Sequence, residues 1–302
     1  MLAYICLRVR RQMGFFMSEI VSKQDKDSEP TSLFHYTTLD SLALILSNRT
    51  LRLNPLTKLD DPQEASTYDK SGWGRYIFVS CWTEQRTESI PMWKMYAGLE
   101  SGVRIESETD PFVRYQYTAD QISDFTLFPK ENIEIEGGVA TTFLPMEDML
   151  RVTTPSLLQG AEVLRKVDYT SDQNRLNPTI VQSVSSQGEI RASLADLGRC
   201  KSKYWTFQKE WRYTLTFLPM NLFGDPETME QRFANAFFKA HDLSSPALLD
   251  YYDLHLREDA IARMKFVFSP KMTPGNRVLA ETLLSSFGLL GNIERSDLEG
   301  RL

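Results

Sequence analysis

LFHYTTLDSLALILSN, residues 33–48, decides how the rest of the chain is read. Residues 33–37 form a short apolar and aromatic run, a strand pattern. Leu39, Leu42, Ala43 and Leu46 then recur at three- and four-residue spacing, which predicts an amphipathic helix over residues 39–48. Thr38 or Asp40 can cap this helix. Downstream, residues 51–53 read as a short strand, and 54–64 (NPLTKLDDPQE) as a Pro- and Asp-rich loop. Continuous apolar character predicts a buried strand at 76–82. Pro91 opens a short helix through Tyr96, Gly98 ends it, and 102–106 (GVRIE) form the next strand.

Beyond this point the pattern is mixed. Residues 113–117 and 132–136 are strand-like, 145–152 helical, and 166–169 again a strand. Residues 170–188 are Ser-, Gln- and Asn-rich and read as a long surface loop. Ile190, Leu194 and Leu197 have helical spacing, which predicts a helix over 190–200. Residues 210–217 (EWRYTLTF) alternate and are β-branched, a good strand. Helices at 227–240 and 246–255, a strand at 265–268 and a helix at 276–286 complete the chain. Strands and helices without regular βαβ alternation predict an α+β fold, a mixed and mostly antiparallel sheet flanked by helices. Neither a GxGxxG nor a P-loop motif is present.

The 302 residues suit one domain over 33–288, with a variable middle segment 108–165 and the polar loop 170–188. Residues 1–32 and 289–302 are expected to be tails, with Met13 or Met17 as the true start. A net charge of -6 argues against a long nucleic-acid track. The apolar run near the N-terminus is too short for a signal-peptide core, and no stretch approaches a membrane span. A cytoplasmic protein that does not engage membranes is expected. Cys6, Cys81 and Cys200 are scattered, as are His35, His241 and His255, so no metal is expected.

Polar residues concentrate late in the chain, at Lys203, Gln208, Glu210 and Arg212. Period-two alternation puts Glu210, Arg212 and Thr214 on one strand face, and Trp211, Tyr213 and Leu215 on the other. This polar face reads either as a reactive site or as a structural ion pair. His35 reads either as a core histidine bonded to a backbone carbonyl or as a ligand contact. Trp93 and Tyr96 read as packing or as stacking groups. Asp60 and Asp61 precede Pro62 in a turn, where they cap local backbone groups; with Glu64 they could instead hold a metal for phosphodiester cleavage.

Phe34-His35-Tyr36-Thr37, Trp93-x-x-Tyr96-Ala97 before Gly102-Val103, and Lys203-x-Trp205-x-x-x-x-Glu210-Trp211-Arg212 together resemble a widespread bacterial domain family of unknown function. The likeness spans about residues 33–288, with 167–169 and 264–271 as weaker segments. More distantly, the order His35, Tyr96, Glu210 is similar to that of the ADP-ribosyltransferase superfamily. Gln208-Lys209-Glu210 matches the Gln/Glu-x-Glu spacing of one branch, although the bacterial family more often shows Glu in place of Gln208.

The resemblance implies an ADP-ribosyltransferase-like fold and a NAD-consuming enzyme, a transferase or a NAD glycohydrolase, in a toxin or anti-phage setting. Catalysis would fall to Glu210, His35 and Tyr96. NAD would be held by His35, Tyr36, Thr37, Trp93, Tyr96, Lys203, Gln208 and Arg212, beside an unknown protein or nucleic-acid acceptor. In this reading Glu210 stabilises the positive charge that develops on the ribose. His35 bonds a ribose hydroxyl, a tyrosine stacks on nicotinamide, and Arg212 or Lys203 meets the pyrophosphate. It predicts that Glu210→Gln abolishes activity with little loss of stability. The rivals are a binding module for a nucleotide, nucleic acid or protein, and a metal-dependent nuclease.

Overall fold

The computed structural model describes residues 30–125, 138–151, 163–184, 190–192, 194, 196–217, 235, 238–239, 241–244 and 249–302. The expected strand at 132–136, nearly all of the N-terminal tail and most of the helix at 227–240 lie outside these residues. The first strand, β1 (Ser32–Thr38), runs straight into the helix Leu39–Asn48. Thr38 caps that helix by accepting from Ser41 N at 3.2 Å, and Arg49 ends it in the left-handed region. Leu42, Ile45 and Leu46 bury their side chains, worth about 2 kcal/mol each.

The chain then lays down β2 (Thr50–Pro55), β3 (Ile77–Thr83) and β4 (Gly102–Glu108). β5 (Tyr115–Thr118) and β6 (Val139–Thr142) form a separate antiparallel pair. β7 (Leu164–Lys166) and β8 (Asp168–Thr170) replace the single strand expected at 166–169. Between them, Val167 N donates to Glu210 O at 2.9 Å. β9 (Val181–Val184) and β10 (Ile190–Ala192) pair with each other, and β11 (Cys200–Ser202) runs parallel to β8. β12 (Glu210–Thr216), β13 (Tyr252–His255), β14 (Lys265–Phe268) and β15 (Ile293–Glu294) complete the set.

The main sheet runs β13-β2-β3-β1-β4-β14-β15, and β12 pairs with both β3 and β7. Its pairs are antiparallel except β14 with β15, so the α+β reading holds. On one edge β3 pairs with β12 along its whole length, from Glu210↔Thr83 to Thr216↔Ile77. On its other edge β2 takes Phe78 and Val79, while β1 takes Thr83 alone. β1 follows β4 from end to end instead, and so splays away from β3 beside Cys81.

One sheet face carries the main core, including Leu33, Phe78, Trp82, Ile105, Trp211 and Tyr213. On the other face Ile77, Val79, Trp73 and Leu197 pack together, and Tyr36, Met92, Trp93 and Ala97 form a third cluster. Trp93 lies in the helical segment after β3: Ile90–Met92 is α-helical, and Trp93–Ala97 continues as a π-turn closed by Gly98 N on Trp93 O at 2.8 Å.

Four expectations change. Where a helix was expected over 190–200, residues 190–192 form β10 and 196–199 turn into β11. Of the helix expected at 246–255, residues 252–255 are β13, where Tyr252 and Leu254 are buried in strand alternation against β2. The polar stretch 170–188 contains the short helix Gln173–Leu176 and the strand β9. Residues 289–302 are not a tail, because β15 pairs with β14. Among the described residues, no helix is long and apolar enough to cross a membrane.

Candidate functional site

Glu210 opens β12, but its side chain is not solvated. Glu210 is only 3% exposed and Arg212 only 1%. Lys201 from β11 and Glu64 from the 3-10 turn Pro62–Ala65 meet them there. Lys201 Nζ lies 3.1 Å from both Glu64 and Glu210. Arg212 Nε donates to Glu210 Oε1 at 2.6 Å, and its guanidinium also pairs with Glu64. A further Arg212 N–H reaches the Gly198 carbonyl at 2.8 Å. Two carboxylates and two cations thus form a buried, charge-balanced quartet.

Burial alone would raise the Glu210 carboxyl, but Arg212 and Lys201 outweigh it and hold its pKa down at about 2. Burial wins at Glu64, whose carboxyl is pushed up although the same two cations adjoin it. The two acids therefore shift in opposite directions, Glu210 down and Glu64 up. Burial and the nearby Glu210 charge push the Cys81 thiol well up, so it is no nucleophile at neutral pH.

Two residues before Glu210, Gln208 is also buried and its Nε2 bonds the Tyr96 hydroxyl. Its Oε1 has no partner. Turning the amide over exchanges the two atoms and still leaves one of them unpaired. Tyr96 is half-buried. Burial, and then the charges of Asp60 and Glu210, raise its hydroxyl well above the usual tyrosine range, so it stays protonated. Glu210 N donates to the Tyr169 hydroxyl at 2.8 Å.

His35 stands elsewhere. The pairs Phe34↔Thr83 and Glu210↔Thr83 put Phe34, Tyr36 and Glu210 on one sheet face. His35 and Thr37 therefore face the other way, and the His35 ring packs on Trp82 with centroids 5.0 Å apart. Its Nδ1 bonds the Cys81 carbonyl at 2.9 Å. Burial lowers its pKa, which the Cys81 bond only partly opposes.

The structure thus gathers Tyr96, Gln208, Glu210 and Arg212, and separates them from His35 and Thr37. Tyr36 and Trp93 share the Glu210 side but are buried. The Tyr36 hydroxyl accepts from Ser89 N at 3.0 Å, and Trp93 Nε1 donates to Glu88 at 2.8 Å. Neither ring offers a free face for stacking. Lys203 is exposed, and the lysine at Glu210 is Lys201 instead. Asp61 caps Gln63 N at 3.0 Å while Glu64 joins the quartet, so the acidic loop divides between two tasks.

Sequence reasoning missed Lys201 and Tyr169 at this site. A buried lysine has no periodicity that marks it, and Tyr169 showed only as part of a weak strand. No family model, curated protein or solved structure matches the chain.

Proposed function

We propose that this chain binds a nucleotide-class ligand, with NAD the first to test, on the Glu210 face where β1 parts from β3. In this reading Glu210 belongs to the scaffold and is not a reacting carboxylate. One observation carries that choice: both Glu210 oxygens are already held, one by Lys201 and one by Arg212. A carboxylate that stabilises a cationic ribose must face it with charge to spare. His35, which the ADP-ribosyl-transfer reading needs on a ribose hydroxyl, faces the other side of the sheet.

Ligand contact then falls to Tyr96 and Gln208. Tyr96 is half-buried, and in this reading its ring supplies the stacking surface. The unpaired amide atom of Gln208 costs about 1–3 kcal/mol, which a carboxamide or base edge would recover once Tyr96 swings aside. Calorimetric titration with NAD tests this. Saturable binding that Tyr96→Ala weakens at least tenfold is expected; equal affinity in the two proteins, or no binding at all, would sink the proposal.

NAD cleavage is the second reading. It is favoured by the adjacency of Tyr96, Gln208 and Glu210 in one buried cluster. It requires nicotinamide release by the wild type that Glu210→Gln lacks, with a protein or nucleic acid as acceptor if the reaction is transfer.

A further inference from the structure

We infer that residues 293–301 form a strap that holds the Tyr96-bearing turn in place, with Glu88 as its latch. Glu88 is buried, and three donors converge on its carboxylate. Trp93 Nε1 and Ser296 Oγ each donate to Oε2 at 2.8 Å, and Asp297 N donates to Oε1 at 2.6 Å. One carboxylate thus ties the C-terminal segment to the first residue of the π-turn. Charge-assisted bonds of this kind are about twice as strong as neutral ones.

The next residue continues the connection. Ser89 N donates to the Tyr36 hydroxyl, and Ser89 Oγ caps the helical turn at Met92 N. Trp93 then meets Tyr36 edge-on, with centroids 5.0 Å apart. One turn further along, Tyr96 bonds Gln208, two residues before Glu210. An unbroken series of contacts therefore runs from Ser296 through Glu88, Trp93 and Tyr96 to the candidate site.

The strap itself is lightly held. β15 contributes the pairs Phe266↔Ile293 and Val267↔Glu294, and an ion pair between half-exposed side chains, Lys265 Nζ to Glu294 at 2.8 Å. Between residues 294 and 301, Ser296 is the one buried residue, and Leu298 packs against the Trp93 cluster. Part of the strap also borders a cavity of about 310 Å³ lined by Phe268, Ser269, Arg277, Ile293, Arg295 and Ser296. A segment with few buried groups and a void beside it opens at low free energy. Its release would free the Trp93–Ala97 turn before the sheet gives way. Holding Tyr96 against Gln208 would then depend on whether the strap is docked.

Hydrogen exchange on the full chain tests this without any ligand, so its outcome is independent of the nucleotide proposal. Ser296→Ala removes the Oγ bond to Glu88 and the bond that Oγ accepts from Leu298 N, and leaves the Trp93–Glu88 bond intact. It should speed exchange at the amides of residues 93–98 by roughly threefold or more. Glu88→Gln should speed it by roughly tenfold or more, since one amide oxygen cannot serve three donors. The amides of β12 should keep their rates in both variants. Unchanged exchange at 93–98 in Ser296→Ala, or an equal rise in β12, would overturn the inference. If Glu88→Gln does not fold, Ser296→Ala decides alone.

Discussion

His35 Nδ1 lies 2.9 Å from the carbonyl oxygen of Cys81, where the ladder between β1 and β3 has just opened. A carbonyl only accepts, so Nδ1 carries the proton and Nε2 keeps its lone pair. The imidazole thus takes the place of a missing strand partner and satisfies a carbonyl that the splay would leave bare. The same bond fixes the ring against Trp82, on the face away from Glu210.

Removing that donor should cost stability. His35→Ala is expected to lose about 1–3 kcal/mol in urea unfolding, through the orphaned carbonyl and the lost packing. The pH dependence has a definite sign. His35 titrates below its ordinary value in the folded chain, so its contribution is full above the unfolded pKa of about 6.5. It is lost as pH falls through the folded value. The stability gap between wild type and His35→Gln should therefore narrow from pH 8 to pH 5; a gap that widens would contradict this account.

The quartet makes a contrasting prediction for Glu210. Glu210→Gln leaves Lys201 and Arg212 with one buried carboxylate between them, at an expected cost of about 3–5 kcal/mol. The ADP-ribosyl-transfer reading expected little loss, because it took Glu210 to be a reacting carboxylate and not part of the scaffold. Adding Lys201→Met restores the charge balance and should recover at least about 1 kcal/mol in a double-mutant cycle. Additive losses would show that the quartet is not a unit. Because the Glu210 pKa is depressed to about 2, its contribution is complete above pH 4.5 and fades only as pH falls toward 2.

At Tyr96 the expected effect is on binding. Tyr96→Phe keeps the ring but removes the hydroxyl that meets Gln208. The buried amide then lacks its partner, costing about 1–2 kcal/mol of stability. NAD affinity should change less than in Tyr96→Ala, which loses the stacking surface as well. Affinities measured side by side in the order wild type, Phe, Ala check this.

Gly198 should tolerate no side chain. Its φ is +74°, and an added Cβ would lie 2.7 Å from Cδ1 of the buried Leu56. Its carbonyl also anchors Arg212 at 2.8 Å. Gly198→Ala is expected to lower stability by about 1–3 kcal/mol, read from urea midpoints at constant slope. A neutral substitution would mean that Leu56 and the turn adapt freely.

β1, β3, β4, β12 and β14 were legible in the sequence, because each carries an unbroken apolar or alternating pattern of its own. The helix Leu39–Asn48 was legible from its spacing and cap, and residues 276–286 of the helix Pro274–Ser286 were also read as helical. Residues 252–255 and 293–294 were misread because distant partners, β2 and β14, decide their state, and 190–192 because the helical spacing of Ile190, Leu194 and Leu197 hid a local pairing with β9. In the site, alternation correctly grouped Glu210 with Arg212 on one face of β12. It could not say that this face is covered, since burial there depends on Lys201 and on Glu64, 146 residues upstream of Glu210. The parity of His35 emerged only once the Phe34↔Thr83 pair was known.

Glu210 is a buried carboxylate held by Lys201 and Arg212, and the proposed nucleotide binding gives it no reacting role. The decisive measurement is nicotinamide release from NAD by the purified chain, with and without cell extract and beside Glu210→Gln. Saturable NAD binding is predicted, with no release above a mock-purified preparation in either condition. Release by the wild type that a folded Glu210→Gln protein lacks would contradict the assignment and make Glu210 the reacting carboxylate.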